Sequence, residues 1–257
     1  MPLNLPTRHN GKLYALAEAI DADPELAQWW KCANINAVDR QGMTDHGEVH
    51  VRIVCNAALK LLRLLIEADV QMSIQANHGM TNDDAEVVVV AASALHDVGI
   101  AVHRSNHEQY SLPLAISILP RLLRGIYAPP ESVIIQAEVL HAIVAHHWDE
   151  TCLTIESGVV KVADALDMTH GRSRIPYEMG ETSIHTISAA AIDAVHLGKG
   201  KEKPIRIEIE MSNSAGVFQL DELLKRKLRN SSIAPYVEVV AEIEGETEKR
   251  LLEFYTL

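Results

Sequence analysis

The stretch Ala85-Glu-Val-Val-Val-Val-Ala-Ala-Ser-Ala-Leu-His-Asp97 is apolar on nearly every side, and it constrains the fold more than any other part of the chain. A segment without a polar face has to be surrounded by other elements. Four consecutive valines also suit a buried strand, but the length of the stretch and its alanine-rich second half favour a helix. It reads as the central helix of a helical domain, stopped by Gly99. It ends in His96-Asp97, and a carboxylate on so apolar an element needs a partner, because burying an unpaired charge is costly.

Other helices are predicted around it. Periodicity gives two short ones at Gly11–Ile20 and Pro24–Asn36, the second capped by Asp23 with Pro24 in its first position. A longer one runs from Thr44 to Glu67, with Val51, Val54, Cys55, Ala58, Leu59, Leu62 and Leu65 apolar at helical spacing. A polar loop from Gln75 to Asp84 leads into the central helix, and further helices are expected over Leu112–Arg124, Glu131–His147 and Gly158–Thr169. After Pro176 the texture changes. Ile205–Met211 alternates apolar with polar residues, which marks a strand with one buried face. Leu220–Arg229 is an amphipathic helix able to cover it, and Tyr236–Ile243 and Lys249–Tyr255 read as strands joined by a glycine-containing turn. The predicted fold class is mainly α: a helical domain over 41–180, an N-terminal helical extension over 1–40, and a small α+β unit over 181–257. The strand edges of that unit favour a homodimer, and a dimerisation or regulatory role is expected for it.

A net charge of −12 without a Lys/Arg-rich face disfavours long nucleic acid as a partner. The apolar run Val87–Leu95 is too short to span a bilayer. The first residues, Met-Pro-Leu-Asn-Leu-Pro, lack a secretory pattern, so no membrane partner and a cytoplasmic location are expected. Cys32, Cys55 and Cys152 form no C-x-x-C pair, which argues against a disulfide framework or a thiolate zinc site. Histidine is in excess, with 13 in the chain, and neutral imidazole is the commonest metal ligand.

Those histidines fall into four motifs. Asp45-His46-Gly-Glu-Val-His50 places two imidazoles four apart, on one face of a helix. Leu95-His96-Asp97-Val-Gly99 sets a ring and a carboxylate at a helix end. His141-Ala-Ile-Val-Ala-His146-His147-Trp-Asp149 is the third, and Lys161-Val-Ala-Asp164-Ala-Leu-Asp167 the fourth. Mixed imidazole and carboxylate ligands suit divalent Mn, Fe or similar ions. Such ions polarise a phosphoryl oxygen and bring the pKa of a bound water towards neutrality. A carboxylate such as Asp97 can present one oxygen to each of two ions. Asp167 reads either as a support for a ligand or as a helix cap, while His78 and His141 read as structural.

The order His50 … His96-Asp97 … Asp164 resembles the H…HD…D signature of the HD-domain superfamily of metal-dependent phosphohydrolases. Leu-His-Asp-Val-Gly is similar to its central motif and Val-Ala-Asp-Ala-Leu-Asp-Met to its last, over roughly residues 44–176. The resemblance implies a first ion held by His50, His96, Asp97 and Asp164. It implies a second held by Asp97, by His107 (with His103 one turn away as the alternative) and by His146 or His147. His46 is a third-metal or substrate contact on the same comparison, and whichever of His146 and His147 is not a ligand contacts substrate or orients water. The activity implied is hydrolysis of a phosphomonoester or phosphodiester, of a nucleotide or other small phosphorylated metabolite, by attack of metal-bound hydroxide. Asp97 and His147 are then the catalytic residues, and Arg172 and Arg174 can bind the phosphate bidentately. The HD-GYP members of the superfamily carry Lys where this chain has Ile100 and a Gly-Tyr-Pro triplet that is missing here, which argues against cyclic di-GMP as the substrate. Di-iron oxygenases on the same scaffold are an alternative, and a non-catalytic nucleotide-sensing module is another.

Overall fold

The computed structural model describes residues 2–169, 188, 190–243 and 254–256, the last stretch by its backbone alone. Its helices start where the sequence offers caps. In α1 (Gly11–Asp21) the Asn10 side chain accepts from the Lys12 and Leu13 amides, and in α2 (Pro24–Asn34) Asp23 accepts from the Leu26 amide. A π-helical turn, Ile35–Asp39, follows. The long helix α3 (Glu48–Glu67) begins later than its periodicity suggests, because Asp45 Oδ1 accepts from the Gly47 and His50 amides and Gly47 is extended. His46 therefore precedes the helix and does not share a helical face with His50. Part of the expected polar loop forms a short helix, α4 (Ser73–His78), closed by Gly79 in the left-handed region.

The central helix α5 (Asn82–Leu95) opens on a capping box between Thr81 and Asp84 and is buried from Asp84 to its end. It is surrounded as its composition demands: α3, α7 (Glu131–Ala145) and α8 (Ile155–Ala165) pack on it, with α1 and α6 (His107–Leu122) beside them. Each fully buried Val or Leu contributes about 1.5–3 kcal/mol relative to exposure, so the run Val87–Val90 is a large part of the core.

The C-terminal unit holds a four-stranded sheet in the order β1 (Ile192–Lys199), β2 (Ile205–Met211), β3 (Val237–Ile243), β4 (Phe254–Thr256). The β1 strand has no clean alternation and escaped the sequence reading. The β2 and β3 strands pair in parallel, Ile207 opposite Val239, and the other two pairs are antiparallel. Between β2 and β3 runs a helical stretch built of Val217–Gln219, Leu220–Leu224 and Lys225–Arg229, called the C-terminal helix below. The β1 and β2 strands lean on α3 while the C-terminal helix packs against α8, so the helical body supplies part of the cover expected from Leu220–Arg229. The boundary read near residue 180 lies outside the described residues, and one apolar core includes residues from both sides of it, Val160 and Leu224 among them. Among the described residues no helix is long and apolar enough to cross a membrane.

Candidate metal centre

The site is assembled at the end of α5. Beyond Leu95 the chain turns through His96-Asp97 into a 3-10 turn, Val98–Ala101. Gly99 matters here for its missing side chain. A Cβ at Gly99 would stand 2.1 Å from the His107 carbonyl oxygen and 2.4 Å from the Ser111 amide, so only glycine lets α6 come this close. Ser111 closes the junction, accepting from the Gly99 amide at 2.9 Å and donating to the His96 carbonyl at 2.7 Å. Asn106, with φ +59°, swings the chain into α6, so that His107 begins the helix beside Asp97. The N-terminal helices support the same turn. Trp30 donates to the Ala94 carbonyl at 2.8 Å, and Asn36 donates to the Ile100 and Ala101 carbonyls, also at 2.8 Å.

Five elements then deliver six ligand-type side chains to one place. His50 comes from α3, His96 and Asp97 from the end of α5, His107 from α6, His146 from the end of α7 and Asp164 from α8. Around Asp97 Oδ2, the His50 and His96 Nε2 atoms lie at 3.4 and 3.3 Å, and Asp164 Oδ1 is 3.3 Å from His50 Nε2. Around Asp97 Oδ1, the His107 and His146 Nε2 atoms lie at 2.9 and 3.7 Å. Each oxygen of Asp97 thus faces its own set of imidazoles. His103 stays exposed, and its Nδ1 accepts from the Ser105 amide. His147 is half-buried at the mouth, where its Nδ1 accepts from the Asp149 amide. His46 lines the same pocket, with its ring 5.4 Å from that of His50. Arg172 and Arg174 lie outside the described residues.

The donor chemistry tests whether this set suits a cation. The Nδ1 atoms of His96 and His146 face the Ser93 and Ile143 carbonyls at 2.8 and 2.5 Å, and that of His50 faces Asp167 Oδ2 at 2.6 Å. Oxygens of that kind only accept, so each of these rings keeps a proton at Nδ1 and turns an Nε2 lone pair inward. The His50 and His96 Nε2 atoms are only 3.2 Å apart. Lone pairs and carboxylate oxygens converging in a buried space repel one another unless a proton or a cation lies between them. Protons take that place where no cation is bound. Burial works to lower the His96 pKa, but the Asp97 and Asp164 carboxylates raise it to about 9. Burial works to raise Asp97, and the rings of His96, His107 and His50 hold it well below the usual carboxylate range. His146, buried and facing the charges of His96, His107 and Lys227, is pushed well below the ordinary histidine value. The residues fit one or two divalent transition ions held by imidazole and carboxylate.

Two supporting groups complete the picture. Asp167 fixes the His50 ring from behind, the kind of support that metal-bound imidazoles generally have. Lys227, from the C-terminal helix, donates to Asp164 Oδ2 and leaves Oδ1 facing the rings. The sequence carries no signal for Lys227: it is one of several basic residues on an amphipathic helix, 63 positions from its partner.

Comparison with known proteins agrees with this geometry. The family model of the HD domain matches residues 57–169, a span that begins after His50 and contains His96, Asp97, His107, His146 and Asp164. The chain is 42% identical over 216 residues, 84% of its own length and 83% of the other's, to MJ1020, an uncharacterized protein of Methanocaldococcus jannaschii. No solved structure matches. The matched span and the buried histidine–aspartate cluster place this chain in the HD-domain superfamily of metal-dependent phosphohydrolases.

Proposed function

We propose that the protein hydrolyses a small phosphomonoester or phosphodiester, a nucleotide first among them, with two divalent ions such as Mn or Fe. The observation that supports this best is the buried, inward-facing set of imidazole lone pairs and carboxylates, divided between the two oxygens of Asp97. His50, His96, Asp97 and Asp164 would hold the first ion, and Asp97, His107 and His146 the second. When bound, such ions act as Lewis acids toward a phosphoryl oxygen and make a water acidic enough to react near neutral pH. The chain's own residues do the rest. Asp97 fixes the spacing of the two sites, and Asp167 and Lys227 hold His50 and Asp164 in place. His147 at the mouth is positioned to orient water or take a proton, and His46 lines the substrate side. In this reading Arg172 and Arg174 add contacts to the phosphate. The pocket is about 530 Å³, the size of a small-metabolite site. A cytoplasmic homodimer, joined through the C-terminal unit, is part of the same proposal.

The test is phosphate release from a panel of nucleotides and simple phosphate esters, with Mn²⁺-loaded protein under strict anaerobiosis. Release that persists without oxygen is the expected outcome. Turnover that requires both iron and O₂ would replace the hydrolase by an oxygenase on the same scaffold. Full metal loading without turnover of any panel member would favour a sensing module.

A further inference from the structure

Beside the histidine–aspartate cluster, the pocket lining includes Arg104, Trp148, Arg226 and Lys227, with Glu108 and Glu222 among them. Arg104 has donors to spare. Its Nε is buried and has no hydrogen-bond partner. Its Nη1 lies 2.8 Å from His107 Nδ1, a contact in which the ring nitrogen has to accept. That contact belongs to the cation-free site only. With a cation on His107 Nε2 the ring proton has to sit at Nδ1, where the Arg104 carbonyl at 3.1 Å and Glu108 Oε1 at 3.3 Å can accept it. The guanidinium then loses its acceptor while Nε is still unpaired. Arg104 lines the pocket beside the metal cluster, and a phosphate bound there can accept the charge-assisted hydrogen bond that His107 no longer takes.

The rest of the wall suits what a phosphate ester carries. Trp148 is 47% exposed at the pocket, an uncommon placement for so large an apolar ring. Its loop is held firmly: Asn230 donates to the Trp148 carbonyl at 2.9 Å, the Cys152 amide donates to the Asn230 carbonyl, and the buried Lys161 ammonium donates to the Glu150 carbonyl. The Arg226 guanidinium lies over the ring, 5.7 Å from its centroid, and pairs with Glu222 at 2.7 Å, so the ring is held in place at the pocket by a fixed neighbour.

We propose that Arg104 is a phosphate-binding residue of this pocket and Trp148 its stacking face, so that the site selects a phosphate ester bearing a planar ring, a nucleoside monophosphate or its ester. The assignment rests on the hydrolase reading above, and binding measurements separate the two. Mn²⁺-loaded protein and its Arg104→Ala, Arg104→Lys and Trp148→Ala variants would be titrated calorimetrically with inorganic phosphate and with AMP, and their metal content determined. Arg104→Ala is expected to keep its metal and lose on the order of tenfold in affinity for both ligands, with Arg104→Lys between it and the parent. Trp148→Ala is expected to bind phosphate as the parent does and to lose the parent's preference for AMP. If Arg104→Ala keeps full phosphate affinity, or loses its metal, the clamp is refuted. If Trp148→Ala keeps the preference for AMP, the ring selection is refuted. A parent protein that takes up no Mn²⁺ refutes the hydrolase reading and the clamp together.

Discussion

At the scale of single residues, the centre depends on which ring nitrogen carries the proton. Asp167 fixes this for His50 through the 2.6 Å contact to Nδ1. Asp167→Ala should leave the fold intact and weaken metal binding by about 10–100-fold, measured by Mn²⁺ titration. A variant that binds like the parent would reduce Asp167 to a packing residue. Protons and cations also compete for the same lone pairs. The His96 pKa is raised from its ordinary value near 6.5 to about 9. In the metal-free protein its protonated form therefore adds stability that is complete below about pH 6.5 and is lost as pH rises through about 9. Loading a cation at pH 7 has to expel that proton, and the release should fade as pH passes 9. Calorimetric titration in buffers of different ionisation enthalpy reads the release directly, and its absence at pH 7 would mean that His96 is already neutral. Occupancy should follow the division around Asp97. The parent is expected to hold about two ions per chain and His107→Ala about one. Equal metal content in both would remove the second site.

At the scale of elements, glycines decide which helices can meet. Alanine in place of a helical glycine ordinarily stabilises by about 0.5–1 kcal/mol. Gly158 in α8 should show the opposite sign. A Cβ there would lie 2.2 Å from Ser232 Oγ and 2.8 Å from Ser231 Oγ. Both hydroxyls are engaged, Ser231 with the Gly158 carbonyl at 3.1 Å and Ser232 with the Thr154 carbonyl at 2.6 Å. Gly158→Ala is expected to destabilise by about 1–3 kcal/mol in denaturant unfolding, through overpacking at this junction. A stabilised variant would show that the seryl segment gives way freely. The helices themselves were legible where capping and periodicity agree, as at Asp23. They were misread where a side chain acts from outside the helix. Asp45 bonds the Gly47 and His50 amides and delays α3, so a spacing of four between His46 and His50 did not mean a shared face.

At the scale of the molecule, the C-terminal unit joins the helical body at Asn230, Ser231 and Ser232, and it sends Lys227 into the centre. The division near residue 180 therefore makes a testable claim. A chain ending at residue 180 loses the donor to Asp164 and uncovers the face of α8 that carries Gly158. It is expected to bind metal more weakly and to unfold at lower denaturant than the parent, besides having a lower oligomeric state by light scattering. A truncated protein that keeps both ions and the parent's stability would make the unit an autonomous appendage.

The sequence alone determined which side chains can form the centre. Ala85–Leu95 has no polar side and must be the centre of the fold, and a His-Asp pair at its end must find partners. His50, His96, Asp97, His107, His146 and Asp164 could be named as candidates because ligand types and helical spacing are written along the chain. Only the tertiary structure decided between neighbours. It brought in His107 and left His103 exposed, and it chose His146 for the cluster while leaving His147 at the mouth. It also recruited Trp30, Asn36, Arg104 and Lys227, none of which carries a motif. The physical reason is that a ligand type is a local property of the chain, whereas which lone pairs converge on one point depends on how closely separate helices approach. That approach is set by contacts such as Gly99 against α6, which no spacing along the sequence encodes.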